Sequence, residues 1–329
     1  MEEKIMPGFT THYLFGQQAA TKIDRFPIKQ LIKKYQHCYN LGLQGPDIFF
    51  YYLPAYFFTK RNVGNLMHDT STMAFFSSLM DARNMLATPK ARAIADAYIY
   101  GFIGHYCLDT VCHPYVYARS HYLQNKDKPT YDFGCHVSLE TDIDRTLLWH
   151  YHCLRPSQFT PGETIHVTPF QMRILSLLIA RAINKTYPGY FTTPLRVRQA
   201  ARFMRLENNW MHDPTGTKKY LVRTIEELIL GHGFISTMIP SDSFVKYKDC
   251  MNLQHKKWAN PWNLSVSHTS DFYELMDSAR DDFLRRVDLY QQCILKNKHR
   301  SLDDYCAAKN SFLADLGDCS YLNGFPLPS

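Results

Sequence analysis

Eight stretches of the chain place apolar residues three and four positions apart: 27–37, 70–87, 90–113, 136–153, 169–186, 194–211, 217–230 and 271–295. That interval matches the turn of an α-helix. It collects the apolar side chains on one face, which must then be buried against a neighbour. Strand-like alternation is scarce, so the spacing predicts an all-α protein. Start signals agree. Thr168-Pro169 and Thr193-Pro194 set a capping residue before a proline at the first helical position. Ser270-Asp271 opens the last of these helices, with Glu274 placed to support its first turn. The segment 48–58, IFFYYLPAYFF, is ambiguous, and Pro54 with its many rings predicts an irregular, partly buried wall. Residues 155–168 and 232–269 are richer in Pro, Ser, Asn and Gly and read as long connections.

With 329 residues, 45% of them hydrophobic and 20% charged, the chain can bury a substantial core as a soluble globular protein. Its formal charge of +7 favours anionic partners such as lipid headgroups, nucleic acid or phosphate esters, without choosing among them. Lys33-Lys34 and Lys256-Lys257 read as solvated faces. No run approaches the ~20 apolar residues of a membrane span. The N-terminal MEEKIMPGFTTHYLFG opens with two acids and has no apolar run before a cleavage site, unlike a secretory leader. Nine cysteines without a CxxC pair then read as free thiols, and a cytoplasmic location is expected.

Within 90–113 the stretch GHYCLDTVCHP sets His105, Asp109 and His113 four residues apart. On a helix that interval makes one polar ladder on one face. Residues 136–140, HVSLE, supply a second such pair in His136 and Glu140, and Ile143 and Leu147 continue its face. Stepping back from His105 reaches Gly101, Ala97 and Tyr98, which also form a core-type face. Both ladders are therefore expected to point inward, where they must be paired or metal-bound. Cys107 and Cys112 are offset from the ladder and read as packing residues. Upstream candidates are His12, Asp47, which follows Gly-Pro on an expected tight turn, and His68. Imidazoles and carboxylates suit zinc. A buried hydrogen-bond network would also fit the spacing. His121, His150, His152, His212, His232 and His268 read as surface or satisfied core histidines.

The ordered set His12, Asp47, His68, HYCLDTVCH and HVSLE resembles the zinc-dependent phospholipase C family, which shares its all-helical fold with the P1/S1-type nucleases. The resemblance covers about the first 150 residues by motif and the helical body to about residue 230. It implies a multi-helix bundle with a multinuclear metal site between helices. The division expected is a phospholipase C-like helical domain over 1–231, with 232–329 a long connection and C-terminal helices packing on the same body. By the same resemblance, His68, His105 and Asp109 hold one zinc, with Asp47 beside it as ligand or general base. His113, His136 and Glu140 hold a second. His12 and Asp109 hold a third, Asp109 bridging to the first. Two ions are expected, because the family's third also takes a processed N-terminal residue and here Met1 lies eleven positions before His12. The interval from Asp109 to His113 is shorter than in secreted members, and Pro114 is expected to kink or end the helix near His113.

The activity implied is hydrolysis of a phosphodiester by metal-activated water, with Asp47 orienting or deprotonating that water. A phospholipid is the expected substrate, with a peripheral membrane contact. Nucleic acid is the alternative substrate on the same fold, and a non-catalytic metal- or lipid-binding scaffold is a third reading. No partner protein is inferred. The rings of Phe49, Phe50, Tyr51 and Tyr52, and of Tyr56, Phe57 and Phe58, either floor a headgroup pocket or pack the core. The WANPW stretch at 258–262 either closes over the site or anchors a loop.

Overall fold

The helical period of the sequence is realised in the computed structural model, which describes residues 8–52, 54, 62–121, 129–295 and 301–327. In chain order the helices are α1 (Phe9–Lys22), α2 (Phe26–Lys34), α3 (Gln36–Leu43), α4 (Val63–Asp69), α5 (Thr72–Asn84), α6 (Pro89–Arg119) and α7 (Pro129–His152). They continue with α8 (Pro169–Thr186), α9 (Pro194–Met211), α10 (Thr217–Leu230), α11 (Ile235–Met238), α12 (Phe272–Ile294) and α13 (Leu302–Leu316). The strands described are β1 (Trp258–Asn260) and β2 (Asn263–His268), which form one antiparallel hairpin pairing Trp258 with His268. The fold is all-α. No helix among the described residues is long and apolar enough to cross a membrane.

The organising element is α6. Thr88 caps it by accepting the Ala91 amide at 3.1 Å, and Pro89 starts it. Its 31 residues span about 46 Å, and from Ile94 to Asp109 every residue is buried. A helix covered on all sides needs no polar face, so its few polar residues are forced to meet each other or their neighbours. Glycines let α3 cross it closely. A Cβ on Gly101 would lie 2.0 Å from the Tyr39 carbonyl oxygen, and Gly42 abuts the Tyr98 carbonyl. On another side α12 packs Phe283 against Gly104 and Phe15. There Tyr290 Oη donates to Asp96 Oδ1 at 2.8 Å, beside the two 2.7 Å bonds that Arg83 makes to the same carboxylate. One contiguous apolar core results, from Phe9 to Leu322.

Several expectations are corrected. The helix placed over 27–37 breaks at Tyr35 (φ −120°, ψ 40°). There the chain passes from the half-exposed α2 to α3, which is buried from Cys38 to Leu43. Pro114 does not end α6, which continues to Arg119. Pro114 offers no amide to the Thr110 carbonyl, and Gly324 (φ +71°) instead covers that carbonyl so closely that a Cβ there would lie 2.5 Å from it. Burial of Tyr115, Val116 and Tyr117 favours the continuation. The ambiguous segment begins as a 3-10 turn over Gly45–Phe49 with Ile48, Phe49, Phe50 and Tyr51 buried. Its Tyr56, Phe57 and Phe58 lie outside the described residues. All nine cysteines are free, and Cys107 and Cys112 are buried in packing positions.

Candidate metal centre

Five segments aim polar side chains at one interior point. His12 comes from α1, Asp47 from the 3-10 turn, His68 from α4, the ladder His105, Asp109 and His113 from α6, and His136 with Glu140 from α7. All eight are buried. Asp109 is the hub. Its Oδ1 lies 3.2 Å from His12 Nε2 and 3.7 Å from His113 Nε2; its Oδ2 lies 2.9 Å from His105 Nε2 and 3.7 Å from His68 Nε2. Asp47 Oδ1 lies 3.1 Å from His68 Nε2 and 3.9 Å from His105 Nε2. Glu140 Oε1 lies 3.3 Å from His136 Nε2 and 3.9 Å from His113 Nε2. Two triads, His12–His105–Asp109 and Asp47–His68–His105, bring donor atoms within 4.8 Å of one another.

The backbone sets the ring orientations. His68 Nδ1 donates to the Gly64 carbonyl at 2.7 Å, His105 Nδ1 to Leu43 at 3.1 Å and His113 Nδ1 to Tyr321 at 2.8 Å. A carbonyl can only accept, so in each ring Nδ1 carries the proton and the Nε2 lone pair faces the centre when the ring is neutral. The turn at Gly45 (φ +49°) passes so near His105 that a Cβ there would lie 2.2 Å from its Cδ2. His12 is held indirectly. Asp144 on α7 accepts the amides of Thr10 and Thr11 at 3.2 and 2.7 Å and the Thr11 hydroxyl, anchoring the first turn of α1 where its own residues supply no cap.

Several of these buried atoms have no hydrogen-bond partner among the described residues: Asp47 Oδ1, His68 Nε2, His105 Nε2, Asp109 Oδ2 and Glu140 Oε2. They approach one another without hydrogen-bond alignment, which is how donors arranged around a shared cation stand. The electrostatics agree. Burial disfavours a charged Asp109, yet His105, His113 and His12 around it hold its carboxyl well below the usual range. Burial drives His136 down to about 3, with His113 adding to the shift, so its imidazole is neutral. Burial and then Asp144, Asp47 and Asp109 push Glu140 well above the usual carboxylate range. That crowding of acids is what a divalent cation relieves. The donor set therefore fits zinc.

Tyr321 and Asp144 are absent from the sequence-derived set. The Tyr321 amide donates to the His68 carbonyl at 3.1 Å, and its ring packs 5.0 Å from His68. Trp262 stands 4.8 Å from the Tyr117 ring, which lies 4.6 Å from His136. Trp258 is an anchor, buried, with Nε1 donating to the Ser270 carbonyl at 3.1 Å. Phe50 packs 5.2 Å from His68, so the aromatic run walls the centre there. Tyr321 acts largely through its main chain, which leaves no residue-type signal. The six histidines read as bystanders, from His121 to His268, are exposed or half-buried.

No curated protein and no solved structure matches the chain. The family model for zinc dependent phospholipase C matches residues 11–195, a span that holds all eight of these side chains, from His12 to Glu140. With more than half its length matched, the chain belongs to the zinc-dependent phospholipase C family.

Proposed function

We propose that the chain hydrolyses the phosphodiester bond of a phospholipid, with water as the nucleophile, in a centre holding at least two zinc ions. The convergence of eight buried imidazoles and carboxylates around Asp109 carries this reading. In it His68, His105 and Asp109 hold one ion with Asp47 beside it, and His113, His136 and Glu140 hold another. His12 and Asp109 would serve a third. Bound zinc supplies positive charge opposite the phosphate and lowers the pKa of water to about 7.

The chain's own residues orient and exclude. Asp47, on a rigid turn and 3.1 Å from His68 Nε2, is the group that takes the proton of the attacking water. Leu108, Cys112, Val116 and Phe272 line the cavity that holds His12, Asp109, His113 and Glu140, and they keep the local dielectric low. Residues 1–231 supply all eight ligands in this reading, and 232–329 cover them through Tyr321. The test is Asp47→Asn. Zinc content should persist while diacylglycerol release from phosphatidylcholine vesicles falls by about 10²-fold or more. Unchanged turnover would refute the role of Asp47, and wild-type protein purified without chelator yet free of zinc would refute the centre. Release of 5′-nucleotides from RNA in place of diacylglycerol would move the chemistry to a nuclease. Bound zinc with no activity even toward bis-p-nitrophenyl phosphate would leave a binding scaffold.

A further inference from the structure

The helix α10 is amphipathic in the reverse sense. The two side chains it buries are Lys219 and Glu226, and its apolar residues other than the half-buried Val222 face outward. Leu221, Ile225, Leu228 and Ile229 recur at the i, i+4, i+7, i+8 spacing of one helical stripe. They are 61, 49, 82 and 74% exposed. The orientation is held from the polar side. Lys219 Nζ donates to the Ile239 carbonyl at 2.6 Å, and Glu226 accepts the amides of Phe234, Ile235 and Ser236 at 2.9, 2.5 and 3.1 Å. Rotating the stripe inward would break these bonds.

The patch extends onto α9. Leu206 and Trp210 are exposed there, and the Lys218 ammonium stands 5.0 Å over the Trp210 ring, joining the two helices. Arg198 and Arg202 continue the same four-residue row and are exposed. Residues 194–230 carry seven Lys and Arg against four Asp and Glu. Asp213, Glu226 and Lys219 are buried, Arg223 pairs with Glu227 at 2.7 Å and Arg205 with Glu163 at 3.0 Å, so Arg196, Arg198, Arg202 and Lys218 remain against Glu207 and the rim is cationic. A cleft lined by Gly8, Asp144, Met211, His212 and Met238 lies at the C-terminal end of α9, and Gly8 also lines the cavity of the metal centre.

We propose that α10 and the exposed row of α9 from Arg198 to Trp210 dock the protein on an anionic phospholipid bilayer. The stripe of α10 enters the acyl boundary, Trp210 and Tyr220 lie at headgroup level, and Arg198 and Arg202 meet lipid phosphates. The inference rests on the reading that the substrate is a phospholipid. A second copy of the chain is disfavoured as the occupant, because a symmetric contact would bring two cationic rims together.

Vesicle co-sedimentation tests it, with phosphatidylcholine alone and with phosphatidylcholine mixed with phosphatidylserine. The wild type should bind the mixed vesicles. The double variant Leu221→Gln/Leu228→Gln should bind about tenfold more weakly or worse, since each leucine loses its transfer from water. Arg198→Gln/Arg202→Gln should lose the preference for phosphatidylserine and the salt dependence. Both variants should keep wild-type hydrolysis of soluble bis-p-nitrophenyl phosphate, which needs no surface. Undiminished binding by the leucine variant overturns the proposal, as does a wild type that binds neither vesicle. A wild-type dimer that the leucine variant dissolves, with no vesicle binding, assigns the face to a second copy and also overturns it. Vesicle binding without phospholipid cleavage upholds the docking surface and refutes the substrate reading instead.

Discussion

Replacing Gly45 by alanine should cost the protein zinc while leaving most of its fold. Gly45 sits at φ +49°, where an L side chain costs roughly 1–2 kcal/mol. Its new Cβ would stand 2.2 Å from His105 Cδ2, against the 3.4 Å at which ordinary contact begins. The imidazole must yield by about 1.2 Å, several times the ±0.2 Å within which metal–ligand distances hold. It cannot do so freely, because His105 is fully buried, stacked 4.4 Å from His12 and tied by Nδ1 to Leu43 at 3.1 Å. Adding an overpacking cost gives about 2–5 kcal/mol, out of the 5–15 kcal/mol typical of a domain. The variant should therefore remain largely folded at 25 °C. Inductively coupled plasma mass spectrometry should show at least one zinc per chain lost, and the urea midpoint should fall. Gly189→Ala, with nothing within 4 Å of its Cβ, is the control and should change neither. Full zinc content in Gly45→Ala would refute the claim that His105 is held in place as a ligand.

Asp144→Ala removes the acceptor of the Thr10 and Thr11 amides. It should destabilise by about 2–4 kcal/mol in urea unfolding, since these amides and the Thr11 hydroxyl, all buried, lose their acceptor, and zinc affinity should drop because His12 follows directly. Burial pulls the Lys219 ammonium down to about 8, whereas an unfolded lysine titrates near 10.4. Native protein then binds fewer protons than unfolded protein between those values, so the destabilisation present below about pH 8 is relieved as pH rises toward 10. Unfolding free energies from urea titrations of the wild type should gain about 2–3 kcal/mol relative to Lys219→Gln between pH 7.5 and pH 10. Chelation at neutral pH should lower the melting temperature reversibly, by the equivalent of about 3–4 kcal/mol for an ion present at 100–1,000 times its Kd. Calorimetry with and without added zinc measures this.

The helical class was legible because burial of a helix leaves a periodic trace, seen in 169–186, 194–211 and 217–230, which the structure realises as α8, α9 and α10 over the same residues. Periodicity was silent where a helix is buried on all sides. The stretch 38–43, CYNLGL, has no polar face and is buried throughout against α6, and α1 likewise lay outside the predicted set. It also could not tell inward from outward. The residues of 217–230 alternate as a core helix should, yet α10 turns that stripe to the surface, because Lys219 and Glu226 find partners on the protein side. Pro114 misled for a related reason: its local helix-breaking tendency was outweighed by the tertiary burial of Tyr115 and Tyr117.

By itself the sequence determined which side chains could act together. His105, Asp109 and His113, and His136 with Glu140, share a helical face as soon as a helix forms, since the interval of four is local geometry. Only the tertiary structure decided what surrounds them. It brought His12, Asp47 and His68 to Asp109 across distances along the chain that no local rule spans. It also supplied the carbonyls of Gly64, Leu43 and Tyr321 that orient the rings. Every residue carries a carbonyl, so its presence in a sequence holds no information; its position exists only once the chain has packed.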